Sequence, residues 1–325
     1  MSQIRSLSGI QPSGQLHLGN YFGAIREHVA WQERGEGYYF IADYHALTTV
    51  NDAEALRASG FEAAVTYLAC GLDPEKAVLF RQSDVPEVCE LTWLLMTVTP
   101  MPMLENATSY KDKVERGITP GAGLFTYPVL MAADILAQDP DVVPVGKDQV
   151  QHVEMTRDMA GKFNRLYSSE VFKIPEYKLG SAPYVPGVDG SKMSKSYGNT
   201  IPILAEPKKL RKIIMKIVTD SKEPDEPKDP DENTVYKLFE IVANADKARD
   251  MADRFRAGGL AYGHAKQELF EAVDALLSPV REKASGLIER PSEVEDVLRA
   301  GAEKARANAR AVLDRARAAC GLRWG

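Results

Sequence analysis

Two loops of this chain carry residue types suited to holding a triphosphate: Gly9-Ile10-Gln11-Pro12-Ser13-Gly14-Gln15-Leu16-His17-Leu18-Gly19-Asn20, and Ser191-Lys192-Met193-Ser194-Lys195-Ser196. The first follows a strand-like run, residues 4–7, and leads into an apolar-periodic helix, so its backbone amides and the helix N-terminus face any bound anion. The second sets Lys192 and Lys195 three apart among small residues, able to close over a phosphate chain and offset charge that builds up during transfer. Each loop alone has a plainer reading: the glycines serve a tight turn, and the lysine-serine run is solvated. Their pairing favours the nucleotide.

These loops need a scaffold. Residues 38–42, 77–80 and 142–145 read as further strands, and 53–70, 87–97, 124–138 and 147–166 as helices. This βαβ order predicts an α/β fold with a doubly wound, Rossmann-like parallel sheet, and the first loop falls at the carboxyl end of a strand, where such sheets bind ligands. From Glu206 onward the strand signal stops. Residues 219–232 are polar and punctuated by proline, hence a loop, and 235–243, 245–256, 264–278 and 291–319 read as helices, with Gly258-Gly259 and Gly301 as interruptions. The expected organisation is a catalytic domain, 1–200, followed by an all-helical domain, 201–325.

The chain has 325 residues, 44% hydrophobic and 26% charged, enough for two domains with their own cores. No apolar run approaches the length that spans a bilayer, and the N-terminus shows no apolar signal core, so a cytoplasmic protein is expected. Cys70, Cys89 and Cys320 are spaced too widely for a metal knuckle and read as reduced packing residues. A net charge of -6 excludes a general nucleic-acid coat, so any RNA contact must use local basic faces. Two are available: Lys208, Lys209, Arg211, Lys212 and Lys216, and a stripe of Arg299, Arg306, Arg310 and Arg317 opposite the apolar face of the last helix. The alternative for both is a solvated face. Residues 91–104 are more apolar than one helix face requires, which suits either a dimer surface or ordinary core.

The opening Ser-Gly-Ile-Gln-Pro-Ser-Gly, His17-Leu18-Gly19-Asn20 and Lys192-Met193-Ser194-Lys195-Ser196 resemble bacterial tryptophanyl-tRNA synthetases of class I. So do the segments 42–48, 124–136 and 143–152, and Lys216-Ile217-Val218-Thr219-Asp220-Ser221, so that the resemblance runs over essentially the whole chain. It implies a tryptophan–tRNA ligase that uses ATP with Mg²⁺ carried by the nucleotide, works as a homodimer on tRNA(Trp), and reads the anticodon with its helical domain. Position by position it implies that Gln11, Pro12 and Ser13 cradle the triphosphate, that Gly19 and Asn20 receive ribose and phosphates, and that His17 touches the phosphates. Gly146, Lys147 and Asp148 hold the ribose and adenine side, with Val185 against the adenine. Lys192 and Lys195, with Met193, Ser194 and Ser196 of their loop and Lys113, gather the phosphates. Gln149 and Tyr127 bind the amino acid's ammonium group, and the aspartate at 134 takes the indole nitrogen. Three positions depart from the commoner pattern: Leu7, among the tryptophan contacts, replaces phenylalanine, Lys147 replaces an acidic residue, and Ser109 shortens a side chain.

The residues of 124–136 also argue for themselves. On a helix Tyr127, Met131 and Asp134 share a face, and the carboxylate interrupts an otherwise apolar surface. Such a group needs a partner. If the face lines a flat pocket, an indole N–H is a fitting donor and phenylalanine is strongly rejected. Exclusion of tyrosine then falls to pocket shape, because a phenol O–H also reaches a carboxylate. The alternative is a structural acceptor in plain core. His45, at a strand end, is expected to pack against the indole, or else to be an ordinary core histidine. No nucleophilic side chain is required, no protein metal cage is expected, and a tyrosine-specific relative or a binding paralogue that has kept the clamp are the competing readings.

Overall fold

The computed structural model describes residues 4–115, 117, 119, 121–180 and 184–322, without the side chains of Ser109, Asp112 and Lys113. Five parallel strands, β1 (Arg5–Ile10), β2 (Glu36–Ile41), β3 (Ala77–Arg81), β4 (Val142–Val145) and β5 (Glu176–Leu179), form one sheet in the order β3-β2-β1-β4-β5. The fifth strand was not expected from the pattern. It is only four residues long and all four are exposed, so its short Glu-Tyr-Lys-Leu alternation marks no buried face, and Glu176 and Lys178 place charges on the sheet edge that discourage further pairing.

Thirteen α-helical segments are described: α1 (18–31, through a π-turn at Tyr21–Ile25), α2 (Asp43–Ala46), α3 (Ala53–Ala69), α4 (Glu87–Met96), α5 (Met101–Glu105), α6 (Thr108–Glu115), α7 (Ala122–Leu136), α8 (Val150–Leu166), α9 (Pro207–Met215), α10 (Thr234–Val242), α11 (Ala245–Ala257), α12 (Tyr262–Ile288) and α13 (Pro291–Ala319). Alternate residues of β2 feed opposite cores. Tyr39 and Ile41 join one with α1, α3 and α9 to α12, while Tyr38 and Phe40 join the other with α4, α7 and α8. Both faces of the sheet are therefore covered, as a doubly wound fold requires. Among the described residues no helix is long and apolar enough to cross a membrane.

The last helix belongs to both cores. Val294 and Leu298 pack in the first and Ala302, Ala305, Ala309, Val312 and Ala316 in the second, so α13 crosses beside the edge strand β3. Gly301 marks the crossing: a Cβ there would lie 1.9 Å from the carbonyl oxygen of Leu79. It does not interrupt the helix, contrary to the sequence expectation; it lets helix and strand backbones touch. Pro279 likewise fails to end α12, which runs on to Ile288 because Leu277, Val280 and Ala284 are all buried on the same core.

Three arginines of the stripe are tied to α4. Arg306 and Arg310 both donate to Glu87 on α4, at 3.0 and 2.9 Å, Arg317 donates to Glu90, and Arg299 pairs with Asp296 on its own helix. The two guanidiniums hold the Glu87 carboxyl below its ordinary range despite its burial. Cys70 is partly buried, its thiol pushed up to about 12 by burial, but Cys89 is exposed and is no packing residue, because α4 buries Val88, Leu91, Leu94 and Leu95 instead.

Gly301→Ala is expected to lower stability by about 1–3 kcal/mol in urea unfolding, since the new methyl must push helix from strand. Gly263→Ala, at an exposed helical position with nothing within 4 Å of the added Cβ, serves as the control and should leave stability unchanged or slightly raised.

Candidate active site

Parallel register sets the site. Pairing of Ile10 with Ile41 and of Ile41 with Arg81 ends β1, β2 and β3 at one level, so the chain leaving each strand enters the same space. From β1 comes the glycine loop, from β2 the helix α2 with Asp43 and His45, and from β3 the turn Gln82–Asp84. A depression of about 750 Å³ lined by Arg5, Asp141, Lys173 and Arg315 lies at the opposite ends of the strands, and its charges pair with one another and with Glu36 and Asp139.

The two loops meet. Leu18 donates its N–H to Ile201 at 3.0 Å, Ile203 donates to Leu16 at 2.9 Å, and Lys195 Nζ donates to the carbonyl of Gly14 at 2.7 Å. Gly14 has φ +111°, a conformation that an L side chain resists, so this reach depends on glycine. Gly19 is equally constrained, because a Cβ would sit 2.9 Å from the ring of His17. Burial, followed by the Lys195 charge, lowers His17 to about 4, so it meets anions as a neutral ring. Burial also lowers Lys195, while Glu62 opposes the shift.

Asn199 was missed by sequence reasoning, and it organises the lysine loop. Almost fully buried, it accepts the N–H of Ser194 at 2.8 Å and donates to the carbonyl of Lys192 at 3.1 Å and to Asp189 at 2.7 Å, while Asp189 also accepts from Ser191. Met193 and Val185 are buried and joined by a backbone bond of 3.0 Å, whereas Ser196 stays exposed.

Asp134 is buried on α7, and the chain already supplies it with partners. His45 Nε2 lies 2.8 Å from Oδ2, and Gln82 Nε2 lies 2.8 Å from both oxygens. His45 is thus a hydrogen-bond partner of the carboxylate, as the reading of it as a satisfied histidine expects. Desolvation raises the Asp134 carboxyl above its usual range, His45 and Gln82 work against this, and Asp43 adds to it. Tyr127 sits near: its ring meets that of His45 edge-on at 6.0 Å, and its hydroxyl is 2.7 Å from His152 Nε2. Burial lowers His152. Neither Gln82 nor His152 was assigned a role from sequence; a polar residue directly after a parallel strand, as Gln82 is, was the available signal.

Other candidates are placed less closely. Gln11 donates to the carbonyl of His45 at 3.2 Å, bridging the glycine loop to α2, and Asn20 accepts the N–H of His17 at 3.1 Å. Pro12 is buried and Ser13 exposed, while Gly146, Lys147 and Asp148 lie exposed after β4, with Gln149 donating to Asp148 at 3.0 Å. Met131 is half-buried, and Leu7 is buried in the core that includes Val129 and Ala133. The Lys113 side chain lies outside the described residues.

Comparison with known proteins follows this geometry. Residues 1–278 match the family described as tRNA synthetases class I (W and Y). The chain is 53% identical over 321 residues to a tryptophan–tRNA ligase of Rhodopirellula baltica, covering 98% of this chain and 100% of that one. It is 52% identical to that of Fusobacterium nucleatum, covering 98% of each. In structure it is similar to the tryptophanyl-tRNA synthetase of Campylobacter jejuni complexed with ADP and tryptophan, with a TM-score of 0.92, 46% identity, and coverage of 98% and 100%.

The site histidines make a prediction for acid. His17, lowered to about 4, must charge on unfolding below its ordinary 6.5, so it favours the fold above pH 6.5 and loses that contribution as pH falls toward 4. An NMR titration should find His17 neutral at pH 5; a midpoint near 6.5 would contradict this environment.

Proposed function

Because the chain belongs to the family of class I tRNA synthetases for tryptophan and tyrosine, and is a tryptophan–tRNA ligase within it, we propose that its strand-end site joins L-tryptophan to ATP and then to tRNA(Trp). In the first step a carboxylate oxygen of tryptophan attacks the α-phosphorus in line, the bond to the bridging oxygen breaks, and pyrophosphate leaves with the electron pair. The tryptophanyl group then passes to the 2′-hydroxyl of the terminal adenosine, releasing AMP. The observation that carries the reading is the Asp134 carboxylate, buried at the level of the glycine loop with capacity for one more donor.

No step needs a side-chain nucleophile, so the protein's contribution is positioning and charge. Lys195 stands between the two loops and trades the Gly14 carbonyl for a phosphate oxygen, with Lys192, Met193, Ser194 and Ser196 beside it. Its depressed ammonium, short of solvent, regains stabilisation when the anion arrives. Gln11, Pro12, Ser13, His17, Gly19 and Asn20 cradle the phosphates, with Lys113 added from α6. Gly146, Lys147, Asp148 and Val185 hold the nucleoside. Tyr127, Met131, His45, Gln149 and Leu7 surround the amino acid. Mg²⁺ enters with ATP and supplies charge neutralisation on the phosphates. Among the described residues no group of three or more His, Cys, Asp or Glu is placed to hold a metal ion.

We assign 1–200 as the catalytic domain and 201–325 as the helical domain that reads the anticodon, with the exposed Lys208, Lys209, Arg211, Lys212 and Lys216 toward the tRNA backbone. A homodimer in the cytoplasm completes the reading, and Trp93 and Met101, 64% and 58% exposed, favour a partner surface along 91–104.

Pyrophosphate exchange into ATP tests the assignment. Exchange is expected with tryptophan and not with tyrosine or phenylalanine; exchange with tyrosine overturns the specificity. Asp134→Asn should raise KM for tryptophan about 10- to 100-fold, the worth of a hydrogen bond to a charged group, with KM for ATP nearly unchanged. Lys195→Ala should lower kcat about 100-fold with tryptophan binding kept; wild-type turnover in that variant removes the loop from the mechanism.

A further inference from the structure

Gln82 is 1% exposed and its amide is gripped at both ends. Oε1 accepts the backbone N–H of Tyr44 at 3.0 Å and that of His45 at 3.4 Å, and because both partners only donate, the oxygen must face them and Nε2 must face Asp134. Nε2 then lies 2.8 Å from Oδ1 and 2.8 Å from Oδ2. Oδ2 has His45 as a second partner at 2.8 Å, whereas among the described residues Oδ1 has Gln82 alone. A carboxylate offers about four lone-pair sites. The capacity left for a ligand is on Oδ1.

We propose that Gln82 is a positioning residue for amino-acid selection: it turns the Asp134 carboxylate so that Oδ1 receives the indole N–H, and it keeps that oxygen an acceptor rather than a donor. The inference rests on the tryptophan reading above and adds which oxygen is used and what sets it. The chemistry follows from the surroundings. His45 and Asp43 face the carboxylate from α2 and Gln82 from the turn after β3, while Tyr127, on the same helix, meets the ring of His45 edge-on and its hydroxyl meets His152. Burial and Asp43 push Asp134 toward its protonated form, and Gln82 and His45 resist. A protonated Asp134 would offer an O–H, which suits a phenol oxygen as well as it suits any acceptor, and would hold the indole N–H only through a weaker, neutral acceptor. An ionised one accepts only.

Gln82→Glu is the sharpest probe, because it keeps the side chain's size and the acceptor for the Tyr44 and His45 amides but removes the N–H donor. At pH 8 two carboxylates face each other; at lower pH they share one proton, and that proton restores a donor to Asp134. In pyrophosphate exchange the variant's KM for tryptophan, relative to wild type, is expected to be at least tenfold raised at pH 8 and threefold or less at pH 6, with kcat and KM for ATP within about threefold. Gln82→Met, of similar length with neither donor nor acceptor, should show a rise of tenfold or more at both pH values, its thermal melt reporting whether it folds. An unchanged KM in either folded variant, or a rise in Gln82→Glu that is equal at pH 6 and pH 8, overturns the proposal as a packing effect. Wild-type protein that shows no tryptophan-dependent exchange would instead contradict the functional reading, which separates the two failures.

Discussion

A buried carboxylate costs several kcal/mol unless it is hydrogen-bonded, and the site is built around meeting that cost for Asp134. Its partners come from different elements: His45 from α2 and Gln82 from the turn after β3, while Asp134 itself stands on α7. They converge because β2 and β3 run parallel in a register that pairs Ile41 with Arg81, so the segments leaving the two strands start side by side. A second carboxylate fixes the join. Asp43 accepts the N–H of Ser83 at 3.0 Å, as well as its hydroxyl, which ties α2 to the 82–84 turn before either reaches Asp134. A slip of β3 against β2 would therefore unmake the proposed amino-acid pocket along with the sheet.

The proposed phosphate side follows a different logic, in which buried groups await a partner of opposite charge. The lysine loop is shaped by Asn199 and Asp189, and the glycine loop by glycines that admit the ring of His17 and the reach of Lys195. Burial disfavours the charged forms of both His17 and Lys195. On the function proposed above, a triphosphate reverses that penalty for the lysine. Elsewhere, α13 straps the sheet edge through Gly301 and fastens α4 through Glu87.

Much of this was legible in the sequence. Glycines before a helix, two lysines three apart, and an aspartate on an apolar helical face each carry their reason in their spacing, and four of the five strands show as apolar runs. What escaped lacked such a signal. Strand β5 is wholly exposed and four residues long, so its brief Glu-Tyr-Lys-Leu alternation is too short to stand out and points to no core. Gly301 reads as a helix breaker because its true reason, the Leu79 carbonyl, is 222 positions away in the chain. Gln82 and Asn199 are single polar residues whose partners are set by tertiary contact: Gln82 reaches Asp134 across 52 positions, and Asn199 curls back on a loop that looks solvated by composition. The ion pairs of the arginine stripe were hidden in part for the same cause, since the carboxylates that Arg306, Arg310 and Arg317 meet lie more than 200 positions earlier, although Arg299 pairs with Asp296 on its own helix.

On the proposed function, an ionised Asp134 selects tryptophan through its ring N–H. Equilibrium binding of tryptophan and of its benzothienyl analogue, which replaces the ring N–H by sulfur at nearly the same shape, tests it without any chemistry. The account predicts that wild-type protein binds tryptophan at least tenfold more tightly, as loss of a hydrogen bond to a charged group implies, and that Asp134→Ala abolishes the difference. Equal affinity of wild-type protein for the two ligands would contradict it.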